Sequence, residues 1–192
     1  MNERPKFRIS YNAPVTLTFA LICLAALVLN QITGGWANAA LFSVYRCNLR
    51  GVFPWIRFIG HVFGHAGYGH FMGNMTLLLV LGPNLEERIG SRNVLMAILG
   101  TALISGAAQF IFFPSVALLG ASGVVFMMIL LSSFGNARNG EIPVTLILIV
   151  IIYLGNEIFD MIFVNDNVSQ FAHLIGGGCG TALGFILPGR HD

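Results

Sequence analysis

The sequence predicts an all-α membrane protein: a single bundle of six transmembrane helices whose fourth member is short and buried. Three observations carry that expectation. Of the 192 residues, 56% are hydrophobic and only 9% charged, with a mean hydropathy of +0.79, a balance that would give a soluble domain of this size an aggregating surface. The apolar residues fall in long continuous runs, not in the alternation of a membrane β-barrel. About twenty apolar residues are needed to cross a hydrocarbon layer about 30 Å thick as a helix, so the chain has room for roughly six crossings and no separate soluble domain.

The runs lie at residues 14–31, 66–83, 92–113, 122–134, 142–158 and 168–187, punctuated by Gly, Pro, Asn and charge. Inside a bilayer the backbone has no water to bond, so each run must be helical or shielded by protein. The first follows a basic tail (Arg4, Lys6, Arg8) and precedes Ala37-Asn38-Ala39, as a cleaved signal peptide would. Its apolar stretch is longer than a signal core, which favours a retained span. The second carries His70 and Asn74, and the third ends at Pro114. The fourth is the anomaly, since Ser122 to Phe134 measures only about 20 Å at 1.5 Å per residue, less than the hydrocarbon core. Two readings fit it. Either the span is tilted or longer than it looks and Ser122 caps it, or it starts below the membrane surface. In the second case residues 114–121 descend as a loop inside the protein, where irregular backbone survives only against protein or a watery cavity. The sixth carries His173 with Gly176, Gly177 and Gly180. The expected division is a tail at 1–13, one membrane domain over 14–187 and a tail at 188–192.

The net charge of +2 is small and its basic residues are scattered beyond the N-terminal cluster, which argues against a nucleic-acid partner. Cys23, Cys47 and Cys179 form no pair at metal-ligand or redox-motif spacing. Basic residues accumulate in cytoplasmic loops. With both termini inside, positions 4, 6, 8, 88, 92, 138 and 190 are cytoplasmic and Arg46, Arg50 and Arg57 are outside. Seven against three favours that orientation.

Polar groups occur where lipid would forbid them. The spacing of His70 and Asn74 puts both on one helical face. His173, Gly176, Gly177 and Gly180 share another, so an imidazole stands beside a smooth glycine strip that lets helices approach closely. Intramembrane His and Asn are costly and point to function, although a single His bonded to a backbone carbonyl is ordinary. In the six-span topology the second, fourth and sixth helices run in the same direction. His70, Ser122 and His173 lie near their starts, which places all three at similar depth in the outer half of the bilayer.

At these residues the sequence resembles the rhomboid family of intramembrane serine proteases, from about Trp55 to Gly180. Gly120-Ala121-Ser122-Gly123 looks like the family's nucleophile motif, and Ala172-His173 with Gly176 and Gly180 looks like its final-helix motif. His65, His70 and Asn74 reproduce its second-helix spacing, and Glu86-x-x-x-Gly90-Ser91 its following turn. Two departures stand out. The family's Trp-Arg pair in the first loop appears as Trp55-Ile56-Arg57, and the aromatic four residues after the serine, often Tyr, is Phe126.

The resemblance implies that Ser122 is the nucleophile and His173 the general base and acid. All eight acidic residues lie away from the faces just described, so a Ser–His dyad without a carboxylate is expected, with Phe126 and helix packing at Gly120, Gly123, Gly176 and Gly180 orienting the ring. Candidate oxyanion donors are the Ser122 backbone N–H and the side chains of His70 and Asn74. No metal or cofactor is expected. The implied substrates are single-span or polytopic membrane proteins entering between helices two and five. The implied location is a bacterial inner membrane, with the site opening to the outer side. Phe159 to Asn167 reads either as a cap above the site or as a plain connection. Competing readings are a catalytically inactive rhomboid-like protein that binds transmembrane helices, a metal or haem protein using His61, His65, His70 and His173, and a transporter. Retention of both Ser122 and His173 argues against the first. The second lacks a carboxylate or Cys to complete a ligand set, and the third lacks paired broken helices.

Overall fold

The computed structural model describes residues 10–133, 144–149, 151 and 167–187. All regular structure among them is helical, apart from one antiparallel bridge between Val44 and Leu118. In chain order the helices are α1 (Pro14–Ile32), α2 (Trp36–Ala40), α3 (Phe53–Gly60) with a 3-10 turn (His61–Phe63), α4 (Tyr68–Ile89), α5 (Ser91–Phe112), α6 (Ser122–Ser133), α7 (Val144–Ile149) and α8 (Asn167–Ile186).

Among the described residues two helices, α1 and α5, are long and apolar enough to cross a membrane by length and composition, and α6 is a shorter apolar helix. The bundle wears its apolar residues outside as well as inside. Leu21, Val80, Ile104 and Phe112 are exposed on α1, α4 and α5, while Leu78, Ile98, Met127 and Leu130 are fully buried. An exterior of that kind suits lipid and not water.

Each helix end has a local cause. The N-cap of α1 is Ala13, which offers no side-chain acceptor. The orphan N–H groups of Val15 and Thr16 instead donate to the Glu86 carboxylate, at 3.2 and 2.7 Å, from the far end of α4. Thr16 Oγ1 and Ser91 Oγ donate to the same carboxylate at 2.7 and 2.6 Å, and Thr16 packs where any Cβ at Gly82 would collide. One acid thus fastens the start of α1, the end of α4 and the start of α5. α4 passes through Pro83, where the second run was expected to stop, and continues to Ile89. Gly90, at φ 84°, then makes the left-handed break that starts α5 one residue later.

α6 is the central post. Every residue from Gly123 to Leu131 is buried, and its most extensive packing is against α8. Arg88 of α4 donates to the carbonyls of Leu131 (2.6 Å) and Ser132 (3.0 Å), where a cation suits the C-terminal end of the helix dipole.

The stretch between α1 and α4 was expected only as an outer loop, yet it holds α2, α3 and the 3-10 turn. Their elements are too short to show in a search for spans. α7 covers the beginning of the expected fifth run. Apart from Ile151, the rest of that run, the candidate cap up to residue 166, and most of both tails lie outside the described residues.

Candidate active site

The loop before α6 packs against the connection between α1 and α4. Leu118 and Val44 exchange backbone hydrogen bonds at 2.9 Å each, and the Gly120 N–H donates to the His61 carbonyl at 2.9 Å. Gly120 then turns at φ 128°, a conformation that disfavours any side chain. A Cβ there would also stand 2.7 and 2.8 Å from Cε1 and Nε2 of His70, so only glycine lets the imidazole edge reach this backbone. Ser122 follows two residues later, half-buried, as the first residue of α6.

His173 comes from α8, held against α6 by glycines. A Cβ at Gly176 would collide with the carbonyl oxygen of Gly123, and one at Gly180 with that of Met127; one at Gly123 would meet Ala172 O at 3.2 Å. The imidazole of His173 stacks on the ring of Phe126, with centroids 4.3 Å apart and planes inclined by 5°. Phe126 lies one turn along the same face of α6 as Ser122. The phenyl face thus fixes the plane of the imidazole.

On the α4 side, His70 Nδ1 accepts a hydrogen bond from the Ala66 N–H at 3.5 Å. In the neutral ring that leaves the proton on Nε2, the atom that borders Gly120. Asn74 is buried one turn below, with Nδ2 at 3.9 Å from the Gly120 Cβ position and no hydrogen-bond partner among the described residues. Leaving such a donor unpaired costs about 1–3 kcal/mol, and a cost of that kind persists where a group is kept for a ligand or a transition state. His65 packs edge-on to His70 at 5.1 Å and to Phe71 at 5.5 Å. Burial, then the neighbouring His70, push the His65 imidazole down to about 4.

The geometry therefore gathers Gly120, Ser122, Phe126 and His173 with His70 and Asn74, and makes Gly123, Gly176 and Gly180 the contacts between helices. The Trp55-Ile56-Arg57 departure resolves into opposite directions. Trp55 is exposed, while Arg57 folds back to donate to Ala40 O (2.9 Å) and Cys47 Sγ (3.5 Å) and lies over the Tyr45 ring.

Sequence reasoning used His61 only as a rejected metal ligand. It is fully buried between Arg57 O (3.2 Å from Nδ1) and Ser105 Oγ (3.3 Å from Nε2), and desolvation lowers it to about 4. Its carbonyl holds Gly120. Gln109 likewise grips the loop before α6 through Val116 O at 2.9 Å. A legible signal existed, because Thr101, Ser105 and Gln109 recur every four residues on one face of α5, and all are buried. No group of three or more His, Cys, Asp or Glu placed to hold a metal occurs among the described residues.

A family model described as a rhomboid domain matches residues 53–190. The chain is 27% identical over 180 residues to a protein named rhomboid protease GlpG from Yersinia enterocolitica, covering 92% of this chain and 63% of that one. It is 32% identical over 147 residues to the rhomboid-related protein 2 of Mus musculus, covering 68% of this chain and 47% of the relative. A putative rhomboid protease, YdcA, of Bacillus subtilis is 26% identical over 147 residues, covering 72% and 70% respectively. The chain thus spans less than two thirds of the length of the first two.

Proposed function

Because the chain belongs to the rhomboid family, and so is an integral membrane protein, we propose that it is an intramembrane serine endopeptidase with Ser122 and His173 as its catalytic dyad. The observation that carries this reading is the stack of His173 on Phe126, one turn along α6 from Ser122 across a glycine-lined crossing. His173 takes the proton of Ser122 as the oxygen attacks a peptide carbonyl, then returns it to the leaving amine. Water, activated by the same imidazole, releases the acyl group from the serine. The oxyanion forms beside the Ser122 N–H at the start of α6, His70 Nε2–H and Asn74 Nδ2. The unpaired state of Asn74 favours that role, since its donor needs no breaking of an existing bond.

In this reading the chain crosses the membrane six times with both termini cytoplasmic, in a bacterial inner membrane, and the site opens to the outer side. The substrates are membrane proteins whose transmembrane helices enter between the second and fifth spans. Catalysis uses neither metal nor cofactor. An inactive protein that merely binds transmembrane helices is the second reading, and the retained serine and histidine weigh against it.

The test is reconstitution in vesicles with a labelled single-span substrate. The parent protein cleaves it, Ser122→Ala and His173→Ala do not, and chelators have no effect. Cleavage that survives in Ser122→Ala ends the nucleophile assignment.

A further inference from the structure

The first connection carries a surface that catalysis does not use. From Val52 to Gly60 the exposed residues are Val52, Phe53, Trp55 and Ile56, all apolar, while Pro54, Gly60 and the following His61 are buried. α3 packs on α5 closely enough that a Cβ at Gly106 would stand 2.6 Å from Phe58 O. A short helix whose outward arc lacks any polar side chain does not face water. The segment just before it behaves oppositely. Residues 45–50 are without helix, and exposure alternates so that Arg46, Asn48 and Arg50 point outward while Tyr45, Cys47 and Leu49 are half-buried. The contacts of Arg57 with Cys47 and Tyr45 hold this cationic stripe against α3. No Asp or Glu occurs anywhere from residue 9 to residue 85, so nothing acidic in the connection neutralises Arg46 and Arg50.

We propose that Arg46 and Arg50, with the apolar arc of α3, form a docking site for an anionic phospholipid of the leaflet on the candidate active-site side. The phosphate sits on the guanidinium groups, and the upper acyl carbons lie on Trp55 and Ile56. Charge complementarity selects an anionic headgroup over a zwitterionic one, because two cations with no carboxylate in their own connection face it. The arc supplies depth and the stripe supplies choice. Trp at such a level has its usual interfacial place. One consequence is that lipid composition anchors the connection that grips the nucleophile loop at His61 and Val44. This site rests on the membrane character of the chain and not on the protease assignment.

The sequence supplies its own probe, since Trp36 and Trp55 are its two tryptophans and both are exposed in this connection. Trp36→Phe leaves Trp55 alone. In vesicles of phosphatidylcholine containing brominated phosphatidylglycerol or brominated phosphatidylcholine at equal mole fraction, quenching of Trp55 gives the relative affinity of the two lipids for the site. The expected preference for the anionic lipid is about fivefold for each arginine. It shrinks as salt rises and is lost in Arg46→Gln/Arg50→Gln, whose unfolding midpoint matches that of the parent. Equal quenching by both lipids overturns the headgroup site, and so does a preference that survives the double substitution. Absence of quenching by either lipid overturns the placement of α3 in the leaflet. Were the arginines to receive an acidic flank of a substrate instead, the double variant would lose cleavage of acid-flanked substrates with no lipid preference in the parent, which also refutes the proposal. Quenching needs no proteolysis, so an inactive protein with intact lipid preference sinks the protease reading alone.

Discussion

Substitution of Gly176 by Ala tests whether the crossing of α6 and α8 sets the reacting geometry. The new Cβ collides with the Gly123 carbonyl oxygen and stands 2.8 Å from its carbon and 3.0 Å from its Cα. Carbon atoms in ordinary contact are about 3.5–4.0 Å apart, so the two helices must part by roughly 1 Å. Every opposed atom is backbone, and no rotamer change absorbs the shift. His173 lies within one turn of this crossing on α8, and Ser122 precedes Gly123 on α6, so the displacement reaches the two side chains proposed to exchange a proton. A misplacement of about 1 Å costs on the order of 100-fold in rate, or about 2.7 kcal/mol of transition-state stabilisation. Gly178, two residues on, is exposed with nothing within 4 Å of its Cβ position. Gly178→Ala is therefore expected to retain full activity and to strengthen the helix by up to about 1 kcal/mol. Initial cleavage rates in vesicles measure kcat/KM for both, fluorophosphonate labelling reports the reactivity of Ser122, and the unfolding midpoint reports integrity. A folded Gly176→Ala protein that cleaves within about threefold of the parent would show that the glycine contact does not control the dyad.

Asn74→Ala removes one candidate oxyanion donor, and kcat is expected to fall about 100-fold with KM little changed; a rise in KM alone would assign Asn74 to substrate binding. Phe126→Tyr keeps the ring that stacks on His173 and is expected to stay within a few fold of the parent, whereas Phe126→Ala loses most activity in the same cleavage assay. Glu86→Ala strands the N–H groups of Val15 and Thr16 and the hydroxyls of Thr16 and Ser91, and is expected to lower stability by about 3 kcal/mol, read as a drop in unfolding midpoint with kcat of the remaining folded protein unchanged. His61 and His65 are held near 4 against 6.5 for a free imidazole. The unfolded chain therefore binds more protons between those values, and stability, fully present above pH 6.5, is lost as pH falls toward 4. At pH 5 the loss is about 2 kcal/mol for each histidine, measured as the midpoint at pH 7 minus that at pH 5; a midpoint that rises on acidification would contradict buried neutral rings.

What was legible in the sequence, and what was not, follows from the range of each interaction. Helices α1, α5 and α8 were readable because a long apolar run with Gly or Pro at its edges announces itself locally. Ser122, His173, His70 and Asn74 were readable as candidates because polar residues in such runs are expensive. The end of α4 was missed, since Pro83 reads as a stop within its own run, and the carboxylate that draws the helix on to Ile89 finds its partners 70 residues earlier, at Thr16. α2 and α3 were missed because their helicity depends on packing against α1 and α5, which no window of five to eight residues contains.

The position of Ser122 in the bundle shows the same dependence. A helix of about 18 Å, the length of α6, has no intrinsic reason to sit at one level in a bundle of longer neighbours. Its lower end is clamped by the Arg88 guanidinium on two terminal carbonyls, and its upper end by the Gly120 N–H on His61 O and the Leu118–Val44 pair. None of these partners is near α6 in sequence, and none touches the reacting atoms. Sequence motifs name the serine and the histidine as candidates; the position of Ser122 in the bundle is set by an arginine on one helix and a histidine carbonyl in another connection. Arg88→Gln should accordingly slow fluorophosphonate labelling of Ser122 while leaving the His173–Phe126 stack in place. Labelling at the parental rate in a folded Arg88→Gln protein would mean that the lower clamp contributes to stability alone.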